Sequence, residues 1–96
     1  MQIKLNPQRR DDQLTVVKQG DALIVNGVTY DFSPLPEGAT LPAEAIDSDL
    51  FSGPVERVNG EIVLTLTLPH GPNPSHAVAF PEPINVTADG PVELPR

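Results

Sequence analysis

The sequence predicts an all-β fold, a small antiparallel meander-and-hairpin sandwich or partly open barrel with one short helical turn, in a single domain spanning 1–96. Three observations carry that prediction. Asn59-Gly60 stands between two apolar, β-prone runs, and Asn and Gly readily adopt the positive φ that a two-residue type I′ turn needs at both central positions. Gly20-Asp21 and Asn26-Gly27 are two further turn pairs, and the strand registers they impose agree with each other. Aromatic residues make up only 4% of the chain, so the core must be built from Leu, Ile and Val, which favour strands where they alternate with Thr.

Taken in order, Gln2–Leu5 alternates polar and apolar and predicts a short edge strand that Asn6-Pro7 stops. The following run, Gln8–Asp12, sets opposite charges side by side and reads as a solvated connector. Strands are predicted over Gln13–Lys18, Ala22–Val25 and Val28–Phe32. A Gly20-Asp21 loop opposes Lys18 to Leu23, Val16 to Val25 and Leu14 to Gly27. An Asn26-Gly27 loop opposes Val25 to Val28 and Leu23 to Tyr30. Both place Leu14, Val16, Leu23, Val25, Val28 and Tyr30 on one face, with Val17 and Ile24 on the other.

Ser33–Pro54 changes character, because Pro34, Pro36 and Pro42 interrupt any ladder while Leu35, Leu41, Ile46, Leu50 and Phe51 stay apolar. A helical turn near 42–46 is expected there, with Pro42 in its first turn, laying Leu41, Ile46, Leu50 and Phe51 across an open edge or end of the sheet. The hairpin over 55–68 then supplies the best core face in the chain, formed by Val55, Ile62, Leu64, Leu66 and Leu68. Its register also sets Arg57 opposite Ile62. The remaining segment, 69–96, is proline-rich, with strand candidates at Ile84–Thr87 and, after the Asp89-Gly90 turn, Pro91–Leu94. The spacing of Val78, Phe80, Ile84, Val86, Val92 and Leu94 predicts a tail bound to its own sheet or offered as a strand to a partner.

Net charge is −7, and it is unevenly placed. Lys4, Arg9, Arg10 and Lys18 lie near the start, leaving Arg57 and Arg96, whereas of the acidic residues only Asp11 and Asp12 precede Gln19. Such a surface repels a phosphate backbone, which argues against nucleic acid. It reads first as a solvated acidic surface that keeps a small domain soluble and second as a face for a basic partner. With 0 cysteines there are no disulfides, thiolate metal sites or cysteine nucleophiles. No apolar run reaches the roughly 18–20 residues of a membrane helix, and Met1–Leu5 has no signal-peptide core, so a soluble, non-secreted protein is expected.

Chemical motifs are missing. His70 and His76 are the only histidines, and a structural or catalytic zinc site needs three or four good ligands. Neither a nucleophile elbow nor a phosphate loop is present. Asp47-Ser48-Asp49 begins like a calcium loop, but the Gly and bidentate Glu required downstream do not follow. The expected catalytic, cofactor-binding and metal residues are therefore none, and no cofactor is expected. Asn85-Val86-Thr87 matches a glycosylation sequon without a secretory signal before it.

Three segments, Leu5–Asp12, Asp31–Pro42 and Leu66–Pro74, carry a resemblance that extends over nearly the whole chain. In them the sequence resembles a family of small proteins of tailed bacteriophages and prophages, whose genes lie among tail-tip, baseplate or fibre genes. The resemblance implies a setting, the bacterial cytoplasm or the virion, and a phage tail protein as partner. It implies no mechanism, since the matching segments are turns and loops. The expected function is a non-enzymatic accessory protein, a minor tail component or tail-assembly factor working by protein–protein contacts. The alternatives are a ligand- or metal-binding module using the His70–His76 loop and a self-associating structural domain.

Overall fold

The computed structural model describes residues 1–95. Two sheets share one core, as the alternating pattern requires. The first has five strands, β1 (Gln2–Arg9), β5 (Thr40–Leu41), β6 (Val55–Val58), β7 (Glu61–His70) and β8 (Ile84–Asn85), in the order β5-β6-β7-β1-β8. The second has β2 (Val16–Gln19), β3 (Ala22–Val25), β4 (Val28–Asp31) and β9 (Gly90–Pro91), in the order β4-β3-β2-β9. Ile3, Val55, Ile62, Leu64 and Leu66 from the first sheet pack with Val16, Leu23 and Val25 from the second. Phe32, Ile46, Leu50 and Phe51 fill the same cluster from the intervening loops. The sheets do not close into a barrel.

Turn chemistry sets the local structure as expected. Asn26 and Gly27 have φ of 50° and 82°, and Asn59 and Gly60 have 53° and 78°, the paired positive values of a type I′ hairpin. The ladders pair Lys18 with Leu23, Val16 with Val25, Val25 with Val28, Leu23 with Tyr30, and Arg57 with Ile62. Val55, Ile62, Leu64, Leu66 and Leu68 are all buried. The helical turn near 42–46 is a 3₁₀ turn over Ala43–Ala45, with Pro42 at its N-cap one residue earlier than expected. Ile46, Leu50 and Phe51 close the core beyond the end of β6. There Phe51 bridges to Leu66 and meets Tyr30 and Phe32 edge-on, at 5.1 and 5.9 Å between ring centroids.

Several expectations are corrected. The first strand does not stop at Asn6-Pro7 and is no edge strand, because β1 runs through both residues and lies between β7 and β8, parallel to β7. Pro7 is tolerated because β8 pairs only with Gln2 and Ile3, so the outer side of β1 is unpaired there. Gln13 and Leu14 are not in a strand. The expected pairing of Leu14 with Gly27 is replaced by the Asn26 side chain, which accepts from the Thr15 N–H at 2.7 Å and donates to the Gln13 carbonyl at 2.8 Å. Val28 shares the apolar face yet is 53% exposed, since β4 is the outermost strand of its sheet.

The proline-rich tail packs on both sheets, β8 antiparallel to β1 and β9 antiparallel to β2. Of the second tail candidate, Pro91–Leu94, only Pro91 enters a ladder, joined there by Gly90 of the expected turn, though Val92 and Leu94 still pack on the core. Unforeseen in this segment is α1 (His76–Ala79), a single helical turn whose N-cap Ser75 Oγ accepts from the Val78 N–H at 3.3 Å. Arg96, counted in the sequence charge, lies outside the described residues.

Candidate functional site

The strand register places an arginine where an apolar residue would be expected. Arg57 shares the inner face with Val55, and its side chain is only 13% exposed, so its guanidinium must find partners inside the protein. It bridges the two sheets. Nη2 donates to the Asp21 carboxylate at 3.0 Å and to the Phe32 carbonyl at 3.2 Å, Nη1 to the Gly60 carbonyl at 3.2 Å, and Nε to the Leu35 carbonyl. The loop it holds sends Glu37 back over the hairpin tip, where its carboxylate accepts the Asn59 and Gly60 N–H groups. An arginine opposite Ile62 in the expected hairpin was the sequence signal for this clasp.

Three further basic side chains pair with carboxylates nearer the surface. Arg10 reaches Asp12 at 2.7 Å and Asp49 at 2.9 Å, and these hydrogen bonds, the one to Asp12 foremost, raise its pKa. Arg9 lies 3.5 Å from Asp11, an exposed pair that adds little. Lys18 Nζ meets Asp89 at 3.2 Å. The Asp89 carboxyl titrates below its ordinary value, first because the Gly20 N–H donates to it at 2.9 Å and then because of Lys18. Asp31 is also lowered, chiefly by the Ser33 N–H. Among the described residues Lys4 is the one basic side chain without a carboxylate partner.

With four of the five described lysines and arginines paired, exposed carboxylates such as Glu44, Asp47, Glu82 and Glu93 dominate the remaining surface charge. Stretches of backbone edge are open as well. β4 pairs only with β3, and alternation of hydrogen-bonded pairs along that ladder turns the main-chain groups of Thr29 and Asp31 outward. The outer side of β1 is open beyond Ile3. Surface grooves lie nearby. One of about 670 Å³ runs between α1 and the C-terminal run, past Phe80, Glu82, Ile84 and Glu93. Another of about 710 Å³ lies between the Leu14–Val17 run that leads into β2 and Leu68-Pro69 of β7.

The two histidines do not come together as a ligand set. His70 ends β7 with Nδ1 2.7 Å from the Gly71 carbonyl oxygen, while His76 opens α1 and lies against Phe80, ring centroids 5.1 Å apart. Among the described residues no three His, Cys, Asp or Glu side chains converge to hold a metal. No helix among them is long and apolar enough to cross a membrane. The chain matches no family model, no curated protein and no solved structure.

Proposed function

We propose that this protein is a non-enzymatic docking module, an accessory protein of a phage or prophage acting as a minor tail component or tail-assembly factor in the bacterial cytoplasm or on the virion. The observation that carries the docking reading is the disposition of charge. Arg10, Lys18 and Arg57 are paired with carboxylates of the chain itself, and with a net charge of −7 the field presented to a partner is acidic and favours a basic protein surface. The open edges of β4 and β1 add main-chain donors and acceptors for an extended segment of that partner. The phage setting rests on the resemblance carried by Leu5–Asp12, Asp31–Pro42 and Leu66–Pro74.

The test is retrieval of the tagged protein from cells expressing a neighbouring set of phage tail genes, with mass spectrometry of what it holds. A tail-tip, baseplate or fibre protein is expected, released by raising the salt. Recovery of no tail protein would overturn the tail assignment.

A further inference from the structure

Phe80 is out of place for a core-building sequence with so few aromatics, being 70% exposed while its neighbour Val78 is buried. Its position is held by structure. The Phe80 N–H donates to the His76 carbonyl at 2.9 Å, Ser75 caps the turn, and the ring lies against that of His76. Glu82 and Glu93 flank the same groove, and no lysine or arginine lines it among the described residues. Along its floor is β8, whose Ile84 and Asn85 are the last residues of the five-stranded sheet, bonded to β1 on one side only.

We infer that this groove is the docking site for an extended basic segment of a partner protein, an inference that rests on the docking reading above. The segment adds main-chain hydrogen bonds at the open side of β8, sets an apolar residue on Phe80 and places lysine or arginine against Glu82 and Glu93. A second copy of this chain is the poorer occupant, because it would bring the same net charge of −7 against an acidic groove. Phe80 serves as the anchor, since an aromatic already fixed in place loses little conformational freedom on binding.

The experiment is an NMR titration of the full chain with three ten-residue peptides, one alternating lysine with valine, one alternating glutamate with valine and one alternating lysine with serine. The lysine–valine peptide is expected to shift the amides of Phe80, Ile84 and Glu93, with affinity falling as salt rises. The other two should bind at least about tenfold more weakly. Phe80→Ala is expected to weaken the first peptide about tenfold with an unchanged melting temperature, because the ring is exposed. The double variant E82Q/E93Q should weaken the salt dependence. No shift at millimolar peptide, or shifts spread over Asp47 and Glu56 and indifferent to Phe80→Ala, would overturn the inference. A tail protein retained equally by Phe80→Ala would sink the groove and leave the docking reading standing. Peptide binding at the groove without any tail protein retrieved would do the reverse to the tail assignment.

Discussion

Replacing Arg57 with methionine tests whether the two sheets are held together by one half-buried guanidinium. Methionine keeps much of the aliphatic stem and removes every donor. The Leu35 carbonyl then loses its Arg57 donor in a part-buried region, at about 1–3 kcal/mol, while the Phe32 carbonyl, which also accepts from the Leu35 N–H, loses less, about 0.5–1 kcal/mol. The Asp21 pair adds at most about 1 kcal/mol, because that carboxylate is 44% exposed and solvent screens it. The expected loss is about 3 kcal/mol, a large fraction of the roughly 5–10 kcal/mol typical of a chain this short. It should appear as a melting-temperature drop of about 12–24 °C by circular dichroism. Asp21→Asn separates the contributions. It leaves the carbonyl contacts in place and should cost under about 1 kcal/mol. An Arg57→Met protein within 1 kcal/mol of the parent would refute the clasp, and an Asp21→Asn variant as damaged as Arg57→Met would show that charge pairing, not carbonyl satisfaction, holds the sheets.

Leu66→Ala, at a position with 0% exposure where β7 meets the Phe51 bridge, should cost about 2–5 kcal/mol in denaturant unfolding, and a loss under 1 kcal/mol would place Leu66 outside the core. The two Asn-Gly turns should respond unequally. Asn26→Ala loses both the positive-φ residue and the bonds to Thr15 and Gln13, whereas Asn59→Ala loses the first and keeps the main-chain N–H bonds to Glu37, so Asn26→Ala should be worse by about 1 kcal/mol. Equal losses would remove the side-chain role assigned to Asn26. The lowered Asp89 carboxyl fixes the sign of a pH effect. Its contribution is complete above the ordinary carboxylate value and is lost as pH falls through the lower folded value, so Asp89→Asn should destabilise at neutral pH and flatten the acid limb of a stability–pH curve. An unchanged acid limb would show that the Gly20 and Lys18 contacts do not persist in solution.

Where a two-residue turn decides the structure, the sequence carried the answer. Asn26-Gly27 and Asn59-Gly60 each dictate a turn through their own φ preferences, and a two-residue loop leaves no freedom in pairing, so the faces bearing Val16, Leu23 and Val25 or Ile62, Leu64 and Leu66 could be read directly. The acidic surface was equally legible as charge. The distribution of that charge was not, because Arg57 is paired with Asp21 and with carbonyls distant in the chain, which a register can flag but cannot place.

Only the tertiary structure decided the neighbours of β1. Its parallel pairing with β7 joins Gln2 to Val63 and Arg9 to His70 across more than half the chain, with no hairpin to announce it. Asn6-Pro7 reads locally as a stop, yet the ladder continues because the missing N–H faces an unpaired side. The same holds for the tail, where Phe80 shares the apolar pattern of Val78 and Ile84 but is turned outward by a helical turn that buries Val78 instead. Turn residues choose among a few local conformers. Which edge a strand joins, and which apolar side chain is left in water, depends on how the whole apolar surface is divided between two sheets, and that division is a property of the assembled fold.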